Sequence, residues 1–205
     1  GEKSTNDVKA LMDELVAKAP ATLTADEARL VAVHNAYLDT DAIDAAGLAP
    51  AQPYIDALAG VGSLRELAMV WAKPGFSSPF GGYVSVDAKQ PNRYVAYLGS
   101  GGLGLPDRDY YLDDSEKGQK IQSAYRDYLT FLFTEAGYED PAGATAAVYA
   151  LEERIAREIS WDRTVRRNRD LTYNALTADD LSAMAGDFPV NEMLAATGLD
   201  ASPIY

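Results

Sequence analysis

Hydrophobic residues recur along most of this chain at the three- and four-residue spacing of amphipathic α-helices. The spacing predicts helices over residues 8–16, 25–38, 42–46, 55–59, 64–71, 115–136, 141–159, 178–184 and 190–196. The predicted fold class is therefore mainly α, a multi-helix domain.

Residues that cap helices stand in front of several of these segments. Thr24–Glu27 and Ser63–Glu66 are capping boxes, in which the hydroxyl and the carboxylate each accept a hydrogen bond from an otherwise unpaired backbone N–H. Thr5 and Asn6 are capping candidates for the first helix, and Asp140 precedes a proline at a first helical position. These caps fix where the predicted helices begin.

One stretch departs from the helical pattern. Residues 82–98 contain two runs of tyrosine and valine on either side of the polar segment 87–92. β-Favouring residues around a turn predict two short strands, and a two-stranded hairpin needs helices behind it for stability. We therefore expect one short β-hairpin packed on the helices.

Composition narrows the classes of function. The chain has 205 residues, for which one domain is the simplest expectation. Its 18 basic and 31 acidic residues give a net charge of −13, which argues against a nucleic-acid partner. The absence of cysteine excludes disulfides, thiolate zinc sites and a cysteine nucleophile. No apolar run is long enough for a membrane span.

A glycine-rich motif follows the second predicted strand. Gly99–Gly104 matches G-x-G-x-x-G, whose backbone N–H groups can cradle a pyrophosphate at a helix N-terminus. A dinucleotide site also needs a helix starting at the third glycine and a parallel strand after it. Leu105 and Pro106 interrupt that context. The motif is therefore predicted to be a glycine-rich turn.

Other candidate chemistry is sparse. His34, the single histidine, shares a predicted apolar face and has no second ligand at helical spacing, so we expect a core or interface histidine. The acidic runs 107–109 and 113–116 lack the calcium-loop pattern and are interpreted as solvated helix starts.

Basic residues are concentrated in one place, Arg163–Arg169. This stretch could steer a carboxylate or phosphate, but the favoured interpretation is a surface paired with the nearby Glu152, Glu153 and Glu158. No two acidic residues in the sequence stand out as a pair of catalytic carboxylates of the glycosidase type.

A longer motif points to a family. Residues 97–112, Y-L-G-S-G-G-L-G-L-P-D-R-D-Y-Y-L, closely resemble the G-L-G-L-P-D-R-D-Y-Y signature in the N-terminal half of neprilysin-like zinc metallopeptidases. Matching pieces in the same order are Glu2–Val8, Tyr37–Asp39, Ala45–Pro50, Pro79–Val84, Leu151–Glu152, Arg167–Asp170 and Thr172–Asn174. The resemblance covers essentially the whole chain.

The resemblance implies that residues 1–205 form the N-terminal helical lid region of a larger zinc metalloendopeptidase. In that family H-E-x-x-H, a third glutamate ligand and an N-A-[FY] anchoring motif lie in the C-terminal half, beyond Tyr205, so Asn35–Tyr37 is interpreted as a coincidence. The lid would enclose the active-site cavity and gate peptide substrates by size. Its implied partners are the C-terminal catalytic domain of the same protein and peptides, and its implied location is periplasmic, cell-surface or secreted.

No catalytic, cofactor-binding or metal-ligating residue is assigned to this segment, and zinc is expected only in the parent enzyme. The missing initiator methionine leads us to expect a segment of a longer protein. Two alternatives stay open. One is a stand-alone helical module that binds peptides or a protein without catalysis, and the other is a helical enzyme that uses scattered carboxylates.

Overall fold

A computed structural model describes residues 1–199. The mainly α prediction is confirmed: 60% of the described residues are helical, and they contain eleven α-helices and one two-stranded antiparallel sheet. The chain divides into two compact units, residues 1–50 and 51–205, where the length suggested a single domain.

The first unit is entirely helical. It contains α1 (Glu2–Ala17), a 3₁₀ turn (Pro20–Thr22), α2 (Ala25–Leu38) and α3 (Thr40–Ala46). None of its residues is buried, so large apolar side chains on α1 and α2 face solvent. These exposed side chains are Val8, Leu11, Val16, Leu30, Val33, Tyr37 and Leu38.

Local hydrogen bonds define where these helices begin. At α2 the predicted capping box is confirmed, because the Thr24 hydroxyl accepts from the Glu27 N–H at 3.3 Å and the Glu27 carboxylate accepts from the Thr24 N–H at 2.8 Å. For α1 the prediction is wrong. That helix begins at Glu2 with Gly1 as its N-cap, so Thr5 and Asn6 both lie inside it.

Replacing Thr24 with alanine is expected to destabilise the start of α2 by about 1 kcal/mol, because the Glu27 N–H loses its acceptor. Hydrogen exchange at the Glu27 amide should then accelerate by about five-fold. The matched control is Thr40→Ala, because Thr40 is the first residue of α3 and the cap there is Asp39. Equal exchange in wild type and Thr24→Ala would contradict the cap.

The second unit contains the hairpin. Strand β1 (Phe80–Val86) pairs antiparallel with β2 (Tyr94–Ser100), from Phe80 opposite Ser100 to Val86 opposite Tyr94. Each strand is thus two residues longer at its open end than the predicted 82–98. Packing of Phe80 edge-on against Phe188, with ring centroids 5.4 Å apart, stabilises the additional strand residues.

Eight helices accompany the hairpin within the described part of this unit. They are α4 (Gln52–Ala59), α5 (Leu64–Trp71), α6 (Asp109–Leu112), α7 (Glu116–Glu135), α8 (Pro141–Arg154), α9 (Arg163–Arg167), α10 (Ala178–Ala185) and α11 (Val190–Thr197). The pattern did not predict α6 and α9, because four or five residues are too few to show a helical period.

Two apolar clusters form the core of the second unit. One joins α6, α7, α8 and the turn after α8 through Tyr111, Leu129, Tyr149 and Ala156. The other surrounds Val190 and Leu194 of α11, against which the hairpin residues Phe80 and Leu98 and the ring of Phe188 pack. The hairpin therefore rests on helices, as a two-stranded sheet requires.

Two further sequence predictions in this unit need correction. The helix predicted over 141–159 ends at Arg154 and continues as a π-helical turn, Ile155–Ile159. The wider turn rotates Ile159 off the apolar face, so Ile155 is buried and Ile159 is exposed. At α5 the Ser63 hydroxyl caps the Glu66 N–H, but the Glu66 carboxylate accepts from the Gly62 N–H at 2.7 Å, so the second capping box is only half formed.

Candidate functional site

The loop that follows β2 carries the distinctive sequence motif and is tied tightly to its surroundings. Its first residue, Gly101, donates its N–H to the Pro79 carbonyl at 2.6 Å. Gly102 has φ +77°, and a Cβ there would approach the Pro79 Cα to 3.0 Å. Glycine is therefore required for the loop to pass so close to the segment that leads into β1.

A group of three polar side chains, the tyrosine–glutamate cluster (Tyr111, Tyr125 and Glu152), fixes the middle of the loop. The Glu152 carboxylate accepts hydrogen bonds from the Tyr111 hydroxyl at 2.9 Å and from the Tyr125 hydroxyl at 2.8 Å. The Tyr111 oxygen also accepts from the Leu105 N–H at 2.9 Å. A Cβ on Gly104 would overlap the Tyr125 hydroxyl. This glycine is needed for close packing.

The electrostatics of the cluster keep both phenols protonated. Burial and the neighbouring Glu152 carboxylate raise the pKa of Tyr111 to about 12, against backbone hydrogen bonds that lower it. Burial and the same carboxylate raise the pKa of Tyr125 as well. Both hydroxyls therefore remain hydrogen-bond donors at physiological pH, and the cluster ties α6, α7 and α8 together.

Charged residues anchor the far end of the loop. The Asp107 carboxylate pairs with Arg166 of α9, and this hydrogen bond is the main cause of a lowered pKa of Asp107. Arg108 donates from Nε to the Ala156 carbonyl at 2.9 Å. Asp107, predicted to be a solvated helix start, has a side chain only 15% exposed, because it is the partner of Arg166.

The predicted pairing of the basic stretch with three glutamates is wrong. Glu153 pairs with Arg157 at 2.8 Å and Glu158 with Arg154 at 3.1 Å, each four residues away along the chain. Side chains four residues apart meet on one face of a helix. Arginines of the same segment therefore pair with these two glutamates. Glu152 faces the two tyrosines instead, and Asp107 is the acid that Arg166 meets.

The loop also lines a cavity in this part of the molecule. The cavity has a volume of about 810 Å³ and lies between α5, the open end of the hairpin, the loop 99–104 and α11. Its wall is mainly aromatic and apolar, with Trp71, Phe80 and Met193 among the lining residues, and Glu152 contributes a carboxylate. A mostly apolar concavity with few polar groups is typical of a ligand-binding site.

Of the candidates from the sequence, the glycine-rich segment 99–104 lines this cavity. The predicted turn is wrong for its first two residues, Gly99 and Ser100, which pair with β1 as the end of β2. Residues 101–104 are irregular as predicted, and no helix begins at Gly104. His34 lies half-buried on α2, with Nδ1 3.3 Å from the Asn35 amide oxygen, so of the two expected positions the core is wrong and an interface stays a prediction. Asp113 lies beside the N-cap of α7, where its carboxylate accepts from the Ser115 N–H at 2.9 Å.

No pattern in the sequence marks the most deeply buried carboxylate among residues 1–199. Asp87, in the hairpin turn, is fully buried and accepts from the Lys89 N–H at 2.8 Å, the Tyr173 hydroxyl at 2.9 Å and the Arg93 Nε at 2.7 Å. Burial raises the pKa of Asp87, but these hydrogen bonds and that of the Gln90 N–H outweigh it and hold the pKa at about 2. In the sequence Asp87 is one of the six residues of the turn 87–92, and nothing distinguishes it from the other polar residues there.

The side chains present do not fit a zinc ion. Among residues 1–199 no group of three or more histidine, cysteine, aspartate or glutamate side chains is arranged to hold a metal. The same range contains no helix with the length and hydropathy needed to cross a bilayer.

Comparison with known proteins identifies the family. The sequence profile described as peptidase family M13 matches residues 1–204. This chain belongs to peptidase family M13. The family resemblance inferred from residues 97–112 is thereby confirmed.

Individual relatives agree with this membership. Endothelin-converting enzyme 1 of Cavia porcellus is 28% identical over 192 residues, which are 86% of this chain and 25% of the relative. Neprilysin-3 of Drosophila melanogaster is 28% identical over 123 residues, 59% of this chain and 16% of the relative. The M13 chain thus spans about a quarter of the length of endothelin-converting enzyme 1.

Solved structures show the same relation. The zinc metalloprotease Zmp1 of Mycobacterium tuberculosis in complex with an inhibitor matches 99% of this chain with a TM-score of 0.86 at 25% identity, and the match covers 32% of Zmp1. Zmp1 in its open state matches 98% of the chain with a TM-score of 0.83.

Proposed function

We propose that this chain is the N-terminal lid region of a longer zinc metallopeptidase. In this proposal the lid encloses the active-site cavity of the parent enzyme, admits peptides and keeps out folded proteins. The observation that carries the proposal is the match of 99% of the chain to 32% of an inhibitor-bound zinc metalloprotease, with a TM-score of 0.86.

The parent enzyme would hold its zinc outside the described residues, because these contain no fitting ligand set. When bound there, zinc supplies a polarised water for attack on a peptide bond. The part of the present chain is mechanical: a closed helical wall excludes bulk water and limits the size of what reaches the metal.

The exposed apolar faces of the first unit support a covering role. Val33 and Tyr37 on α2 are 70% and 79% exposed, and Leu11 on α1 is also exposed. Such clustered apolar surface is typical of a face that meets another polypeptide. We propose that the C-terminal catalytic domain of the same protein covers it.

Size selection can be tested with the full-length gene product. We expect it to cleave a short peptide and to leave the same sequence uncut when it is placed in a surface loop of a folded protein. A chelator should abolish the cleavage, and added zinc should restore it. Comparable cleavage of the peptide and the folded protein would contradict gating. No cleavage of either would contradict the peptidase proposal.

The isolated 205-residue chain is expected to bind no stoichiometric zinc. It has one histidine and no cysteine, and its described carboxylates do not converge on a metal site. Elemental analysis after dialysis against zinc checks this expectation. One tightly held equivalent of zinc would contradict it.

The location outside the cytoplasm, implied by the family resemblance, remains a prediction. A stand-alone binding module would be the better account if the full-length product bound peptides without cleaving them.

A further inference from the structure

A second cavity, of about 230 Å³, lies beside the loop after β2 and is lined by a different set of side chains. Arg108, Arg166 and Asp107 are its ionised lining groups, and the Trp161 indole forms part of its wall. We propose that this cavity, the arginine cavity, binds a small carboxylate anion that carries an apolar group. This inference goes beyond the proposed peptidase role and does not depend on it.

The charge of the arginine cavity is opposite to that of the molecule. Two arginines and one aspartate give the lining a net charge of +1, in a chain whose net charge is −13. A local positive site in an acidic protein concentrates anions from solution. Two further charges at the start of α9 act on this lining with opposite signs, Arg163 on Asp107 and Asp162 on Arg108.

The aspartate in the cavity lining, Asp107, occupies only some of the N–H donors of the two arginines. Asp107 pairs with Arg166 through Oδ2, and its Oδ1 accepts from the Asp109 N–H at 3.3 Å. Arg108 donates from Nε to the Ala156 carbonyl. A guanidinium carries five N–H donors in a planar fork, and a carboxylate can accept two of them at once. Arg108 is therefore held through one of its N–H donors. The other donors of the guanidinium group are left to bind an anion.

The remaining wall selects the kind of anion. The Trp161 side chain is 47% exposed, and Leu103, Leu105 and Pro106 also line the cavity. Arginine next to an indole and aliphatic groups suits a ligand with one charged and one apolar end. The volume is below the range of about 300–1,000 Å³ of drug-sized sites, which limits the ligand to the size of a single amino acid.

Trp161 provides the signal for a binding test. The chain has two tryptophans, so Trp71→Phe leaves Trp161 as the one indole reporter. At constant ionic strength we expect N-acetyl-L-leucine to change its fluorescence saturably. N-acetyl-L-leucinamide, which lacks the carboxylate, and inorganic phosphate, which lacks the apolar group, should each bind about ten-fold more weakly. Calorimetric titration of the wild-type chain with the same three probes guards against an effect of the tryptophan substitution.

Variants with opposite expected effects separate binding from folding. Arg166→Gln should weaken binding of N-acetyl-L-leucine by about ten-fold, because a charged donor is lost. Asp107→Asn should strengthen it by about three-fold, because the competing charge is removed. Arg169→Gln, an equal charge change outside the cavity lining, should stay within about two-fold. Equal affinity for the acid and the amide, or weaker binding by Asp107→Asn, would overturn the proposal.

Discussion

Replacing Asp87 with alanine is expected to lower the melting temperature of the 205-residue chain by on the order of 10 °C. The carboxylate is fully buried and accepts hydrogen bonds from the hairpin turn, from Arg93 and from Tyr173. Alanine removes one buried acceptor that serves several donors at once, which costs more than the loss of an exposed contact. Tryptophan fluorescence measures the effect, since Trp71 and Trp161 both lie in the second unit.

The matched control for this change is Asp170→Ala. Asp170 lies 90% exposed and contacts Lys89 at 3.9 Å, so its removal should shift the melting temperature by less than about 2 °C. A shift of that small size for Asp87→Ala would contradict the structural role assigned to the buried carboxylate.

The same carboxylate gives a pH dependence with a defined sign. The pKa of Asp87 is about 2 in the folded chain, below its ordinary value of 3.8. A lowered folded-state pKa adds stability above the unfolded-state pKa, and that contribution is lost as pH falls through the folded-state pKa. The difference in melting temperature between wild type and Asp87→Ala should therefore shrink between about pH 4 and pH 2. A constant difference across that window would contradict the assignment.

Substituting Gly104 by alanine is expected to destabilise the second unit by about 2 kcal/mol, because the added methyl group overlaps the Tyr125 hydroxyl. Urea unfolding followed by tryptophan fluorescence measures the loss. The control is Gly99→Ala in the same motif, where a Cβ meets no atom within 4 Å, so the change should stay within about 0.5 kcal/mol.

A double-mutant cycle identifies the cause of the Gly104 effect. In a Tyr125→Phe background the hydroxyl is gone, so the cost of Gly104→Ala should fall by about half. If the cost is unchanged in that background, the clash with Tyr125 is not its source.

Sequence patterns predicted the elements well where a local signal was sufficient. The Thr24 capping box and the hairpin follow from neighbouring residues and are confirmed. Local spacing cannot show which distant group a side chain meets. Asp107 and Arg166 are 59 residues apart, and Asp87 and Tyr173 are 86 apart.

The candidate site shows the same limit. Its glycines were visible in the sequence, but the reason for Gly104 lies in Tyr125 on α7. The tyrosine–glutamate cluster joins three helices, so no single amphipathic pattern contains it. The end of α8 was missed because a π-helical turn depends on tertiary contacts, here including the bond from Arg108 to the Ala156 carbonyl.

The most direct test of the lid proposal is to sequence the gene downstream of the Tyr205 codon. The account predicts that the reading frame continues to an H-E-x-x-H motif and a later glutamate ligand, which together would hold the catalytic zinc. A natural stop codon directly after Tyr205 would contradict the account, because the chain would then be a lid without an enzyme.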